Sequence, residues 1–158
     1  FAHQMEIYAG FKNQSHTITA EVEVPAARGS GVILAQAGRF GGWSLYLKEG
    51  KPIYCYNYLG LERYSVTAAQ AVPAGKATIR FDFAYDGGGR GKGGAAAISV
   101  NGMKVADGRI ERTQPNIFSA DETADVGVDE ATPVTEDYKE GDNRFIGTIQ
   151  KVTVELKQ

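Results

Sequence analysis

The sequence predicts an all-β fold, an antiparallel β-sandwich, and three observations predict it. Short segments of alternating apolar and polar residues recur at even spacing. Glycine- and proline-containing turns separate them. Glycine itself reaches 20 of 158 residues, well above the usual roughly 7 per cent, which favours tight turns over long helices. No segment carries a convincing 3.6-residue period.

The strands follow in order. Thr17 to Val24 alternates strictly, with Ile18, Ala20, Val22 and Val24 on one face and Thr19, Glu21 and Glu23 on the other, and Pro25 stops it. Gly31 to Gln36 reads as a more fully buried strand. Trp43 to Leu47 alternates again, and the turn residues Glu49-Gly50-Lys51-Pro52 join it in a hairpin to Ile53–Tyr58. Glu62 to Val66 continues the meander after Gly60. Ala77 to Asp86 is the cleanest strand, with Ile79, Phe81 and Phe83 inward. After a glycine-rich turn come Ala95 to Val100 and Met103 to Gly108, and Asn101-Gly102 between them is the sequence a two-residue type I′ hairpin demands. Phe145 to Leu156 closes the chain as a long strand. The one long irregular stretch runs from about Arg112 to about Arg144, holds Pro115, Pro133 and few apolar anchors, and is the segment where function is expected.

At 158 residues the chain is long enough to bury one core, and one domain is expected, a fragment of a larger protein. Seventeen Lys and Arg stand against nineteen Asp and Glu, a net charge of -2, so no nucleic-acid or anionic-membrane partner is expected. No apolar run approaches the roughly 20 residues of a membrane helix. Cys55 is the single cysteine and forms no disulfide within the chain. The chain begins at Phe1 instead of an initiator methionine, from which an upstream portion removed by processing, proteolysis or design is expected.

Several constellations invite chemistry. Asp86-Gly87-Gly88-Gly89-Arg90-Gly91-Lys92-Gly93-Gly94 fails the Walker pattern at Asp86 and Gly93. It contains G-x-G-x-x-G but opens no helix, so it is read as a loop between strands. Ser15 and His16 are adjacent, hence on opposite faces of a strand, and cannot pair as nucleophile and base. With two histidines and one cysteine, no zinc-ligand spacing is present. The acidic stretch from Asp121 to Glu130 supplies the oxygen ligands calcium favours, with Asp121, Asp125 and Asp129 as candidate ligands and Asp86 and Asp137 as further ones. Its spacing is not that of an EF-hand, and the competing reading is a solvated loop packed on a neighbouring domain. Arg39 and Trp43 are the candidate contact residues for a ligand or a neighbouring domain, on a surface that Tyr54, Tyr56, Tyr58 and Tyr64 would extend. The competing reading places these aromatics in the core; Tyr54, Tyr56 and Tyr58 share one strand face, opposite Cys55 and Asn57, and whether that face is outward decides between the two.

Several segments, in order, resemble the C-terminal region of bacterial arylsulfatases: Gly31-Val32-Ile33-Leu34-Ala35-Gln36 with Gly38 to Tyr46, Tyr58 to Tyr64, Phe83 to Gly89 with Gly91 to Gly94, Phe118 to Thr123, and Asp125-Val126-Gly127 with Thr132-Pro133-Val134. The resemblance runs from about Lys12 to the end. Val100 to Val105 with Phe145 to Ile149 also resembles concanavalin A-like and laminin-G-like jelly rolls. The sulfatase machinery, a cysteine converted to formylglycine within a Cys-x-Pro-x-Arg motif together with calcium-binding aspartates and a histidine-rich pocket, has no counterpart here. Cys55 is followed by Tyr56-Asn57-Tyr58-Leu59. The resemblance therefore implies a non-catalytic accessory domain with an upstream sulfatase catalytic domain as partner, in a periplasmic or secreted protein, its acidic loop or the Arg39 to Trp43 loop shaping substrate access. The alternative is an independent carbohydrate-binding, lectin-like module, which requires a concave outer face or a loop rim. A standalone hydrolase is opposed by the lack of an arranged nucleophile and base.

Overall fold

The computed structural model describes residues 5–6, 15–25, 29–38, 41–87, 92–112, 124–128, 134–138 and 143–156. Among these the chain forms eleven strands and no helix: β1 (Met5–Glu6), β2 (His16–Val24), β3 (Gly31–Gly38), β4 (Gly41–Lys48), β5 (Lys51–Tyr58), β6 (Glu62–Thr67), β7 (Gly75–Tyr85), β8 (Gly94–Val100), β9 (Met103–Ile110), β10 (Ala124–Val126) and β11 (Thr148–Leu156). They build two sheets, a six-stranded one in the order β1-β11-β2-β7-β8-β9 and a five-stranded one in the order β10-β3-β4-β5-β6. Every strand pairing is antiparallel except that of the short β1 with β11. The all-β sandwich expected from the sequence is the fold observed.

The alternation in β2 and β7 does what its period dictates. Ile18, Ala20, Val22 and Val24 are at most 3% exposed, as are Ile79 and Phe81, while Glu21, Glu23 and Arg80 face solvent. The core between the sheets centres on aromatic rings contributed by both. Tyr54 of β5 stacks on Phe81 of β7, with centroids 3.7 Å apart and planes 11° from parallel, and Trp43 of β4 lies 6.1 Å from Tyr54 on a nearly parallel plane. Tyr54 and Tyr56 thus face inward, which settles the orientation the sequence left open.

Tight turns hold the hairpins in register. Asn101 and Gly102 take φ of 51° and 85°, the positive pair that a type I′ turn needs. The Asn101 amide donates to the Thr78 carbonyl at 2.9 Å, and its side-chain oxygen accepts from the Thr78 amide at 2.9 Å. Glu49 and Gly50 repeat the motif, with φ of 53° and 79°, between β4 and β5.

The outer face of the five-stranded sheet is covered. Val32, Ala35, Tyr46, Ile53 and Cys55 form a second, smaller core against which Tyr138 packs. Described residues of the irregular stretch, in which the sequence shows few apolar anchors, contribute to that cover. It contributes β10, paired with β3, and Val134, which is fully buried. Asn57 Nδ2 and Arg63 Nε both donate to the Val134 carbonyl, at 3.0 and 3.1 Å. The final strand is shorter than its alternation suggests: Phe145 is buried but precedes β11, while Arg144 bridges Val32 in parallel fashion. Gly31 permits that approach, since a Cβ there would lie 2.3 Å from the Arg144 carbonyl oxygen.

Candidate functional site

The outer face of the six-stranded sheet carries an open groove, and strand register explains it. Thr17, Asp82, Ala97 and Asp107 stand in one row across β2, β7, β8 and β9. Ala84, Ala95 and Arg109 form the next row, with Ser15 at the end of β2 extending it. Small residues, Ala84, Ala95 and Ala97, occupy the middle, and longer polar ones, Asp82, Lys104, Asp107 and Arg109, stand around them. The result is a hollow of about 660 Å³, within the range of about 300–1,000 Å³ typical of small-ligand sites.

The walls are held by ion pairs and hydrogen bonds. Arg80 grips Asp82 through Nε and Nη2 at 3.0 to 3.1 Å, and Thr17 Oγ1 donates to the same carboxylate at 2.8 Å. Arg109 presents its fork to Asp86, with Nη2 to Oδ2 at 2.6 Å, and this hydrogen bond raises the guanidinium pKa further. Lys104 pairs with Asp107 at 2.9 Å. Ser15 Oγ accepts from the Tyr85 amide at 2.8 Å. The groove therefore offers alternating donors and acceptors around methyl groups. The one aromatic among its described lining residues, Phe83, is 4% exposed and belongs to the core.

A second hollow, of about 570 Å³, lies where the irregular stretch meets β4, between Lys48, Asp137, Tyr138 and Arg144. Tyr46 donates to Asp137 at 2.5 Å, Lys48 pairs with the same carboxylate at 3.2 Å, and the Tyr46 and Tyr138 rings meet edge-on. Burial, then the bond to Asp137, pushes the Tyr46 phenol well above its ordinary range. These contacts fasten the stretch to the sheet along the wall of the hollow.

No catalytic set assembles among the described residues. Ser15 serves the Tyr85 amide, whereas His16 turns to the other face against Phe81 and Phe83, with ring centroids 6.1 and 5.4 Å away. Cys55 is fully buried, and burial raises its thiol pKa, the opposite of what an activated cysteine needs. Trp43, predicted with Arg39 at a contact surface, is 2% exposed, and its indole N–H donates to Gln36 at 3.1 Å. Arg39 lies outside the described residues, as do Asp121 and Asp129 of the predicted calcium set. Asp125 sits on β10 with its backbone opposite Ala35. Asp86 and Asp137, the further candidates, are engaged by Arg109 and by Tyr46 and Lys48. Among the described residues no group of three or more histidine, cysteine or acidic side chains is placed to hold a metal ion. The groove residues were missed at the sequence level, although three successive alanines in a strand, Ala95 to Ala97, are a signal, since alanine is depleted there.

Comparison with known proteins agrees with this architecture. No family model matches the chain. No curated protein matches it either. Solved structures do match in fold. A heptameric SAP-like pentraxin from Limulus polyphemus superposes with a TM-score of 0.56 at 17% identity, covering 92% of this chain and 66% of the pentraxin. Mouse laminin alpha1 chain domains LG4-5 give 0.59 at 16% identity over 91% of this chain and 37% of that one. The Ruminococcus gnavus IT-sialidase CBM40 bound to alpha2,3 sialyllactose gives 0.58 at 12% identity over 90% and 75%. The fold is a laminin-G-like, concanavalin-type sandwich. Identities this low carry the fold alone.

Proposed function

We propose that this chain is a non-catalytic, lectin-like carbohydrate-binding module whose ligand seats in the groove across β2, β7, β8 and β9. The observation that supports it is the groove itself, a methyl floor with paired carboxylate, ammonium and guanidinium groups around it, on a sheet face that the described residues leave open. Sugars present hydroxyls that donate and accept at once, and such a wall meets both needs. That the IT-sialidase CBM40 shares the fold and is bound to a sugar is consistent with this use of the scaffold.

The accessory-domain reading, in which the chain packs on an upstream arylsulfatase catalytic domain, needs a broad apolar face. The large exposed apolar side chains among the described residues are Leu59 and Leu61 on the turn between β5 and β6, Met103 at the start of β9 and Ile146 just before β11, and they do not fall on one strand or one turn. The binding-module reading is therefore the better supported of the two.

Calorimetric titration of the chain with a panel of neutral and acidic oligosaccharides tests the proposal, alongside an Ala97→Trp variant that fills the floor. Heat with at least one sugar, lost in the variant while its melting temperature holds, supports the groove. Silence across the panel, or binding indifferent to Ala97→Trp, refutes it.

A further inference from the structure

The charge pattern of the groove carries a statement about ligand class, and it rests on the binding-module reading. The charged side chains among the groove's described lining residues are Asp82, Asp107, Lys104 and Arg109, and each is matched: Asp82 with Arg80, Arg109 with Asp86, and Asp107 with Lys104. The charges of these three pairs sum to zero. An acidic sugar, whether carboxylated or sulfated, would meet Arg109 and Lys104 with their charge already offset by an aspartate. That carboxylate would then face a second anion across a few ångströms, and like charges at that range repel. A neutral hydroxyl meets no such repulsion, because it donates to the carboxylate and accepts from the cation at once. Among the described lining residues no exposed aromatic ring offers a stacking platform, and these supply edge-on hydrogen bonds and methyl contact.

We infer that the groove selects uncharged, hydroxyl-rich carbohydrate and discriminates against sialylated and sulfated sugars. In this it differs from the sialyllactose-bound CBM40 with which it shares a fold. The paired wall also predicts how selectivity can be inverted. Removing one aspartate's charge frees its cation, and the groove gains a net positive site.

The experiment titrates the chain with cellohexaose, xylohexaose and mannohexaose as neutral probes, and with 3′-sialyllactose and a heparin-derived hexasaccharide as acidic ones, at low and high salt. The same titrations are run on Asp86→Asn and Asp107→Asn. The expected result is binding of at least one neutral probe, changed less than about twofold by salt, as befits contacts without net charge. The variants should acquire salt-sensitive binding of an acidic probe, tighter by about tenfold than wild type, as one freed cation meeting an anion warrants. If wild type prefers an acidic probe, and Ala97→Trp abolishes that binding, the groove is a carbohydrate site but the inference on ligand class is overturned. If no probe binds, the binding-module reading falls and the inference with it. If the neutral probe binds and neither aspartate variant gains an acidic one, charge pairing is not what selects, and the inference is again overturned.

Discussion

Asn57 reaches across 77 residues of sequence to donate its side-chain N–H to the Val134 carbonyl at 3.0 Å, and its own oxygen accepts from the Gly60 amide at 2.8 Å. One fully buried amide therefore pins the irregular stretch to the five-stranded sheet and closes the turn after β5. Asn57→Ala leaves the Gly60 amide without this acceptor and takes one donor from the Val134 carbonyl. The expected loss is about 1–3 kcal/mol, the cost of leaving buried polar groups unmet, read as a shift of the urea midpoint. A midpoint within error of wild type would show that the joint is not structural.

Two glycines with positive φ should respond very differently to alanine. At Gly102, φ is 85° and a Cβ would meet nothing within 4 Å, so Gly102→Ala costs the backbone strain alone, about 1–2 kcal/mol. At Gly31, φ is 104° and the Cβ would lie 2.3 Å from one backbone atom of Arg144 and 2.6 Å from another. Gly31→Ala should therefore destabilise more than Gly102→Ala in thermal unfolding. Equal costs would contradict the close threading of residues 143–146 beside β3.

Much of this fold was legible because its signals are local. Alternation in β2 and β7 and the Asn101-Gly102 pair each act over a few residues, and the structure follows them. Trp43 and the tyrosines were ambiguous for a physical reason. Periodicity tells which side chains share a face of β5, but Tyr54 and Tyr56 bury one face while Cys55 and Asn57 bury the other, so no polar face marks the outside. The groove was illegible for another: it joins Ser15, Asp82, Ala97 and Arg109 through pairings of four strands, and no local pattern encodes that register.

Alkaline pH should unfold the protein through its buried phenols. Tyr46 and Tyr54 both have raised pKa values, with burial the largest cause in each. The unfolded chain releases these protons near the ordinary value of 10.0, whereas the folded chain retains them beyond it. Their stabilisation is thus fully present below about pH 10 and declines above it. Melting temperature measured from neutral to strongly alkaline pH should fall above that point, and less steeply in Tyr46→Phe. Identical slopes for the two proteins would remove Tyr46 from the account.

Cys55 should be silent to thiol reagents in the native state. It is fully buried beneath the segment that contains Val134, and its pKa is raised chiefly by burial. Alkylation monitored by mass should appear only as the protein unfolds in denaturant. Stoichiometric labelling of the native protein would mean that the covering segment opens readily.

The central claim is that the outer face of the six-stranded sheet binds sugar, and methyl NMR of the alanines reads that face directly. On titration with a neutral oligosaccharide that gives calorimetric heat, the methyl signals of Ala84, Ala95 and Ala97 should shift with the ligand. Those of the core residues Ala20 and Ala77 should stay in place. Shifts confined to residues around Tyr138 and Lys48, with the groove alanines unmoved, would place the ligand at the second hollow and contradict the account.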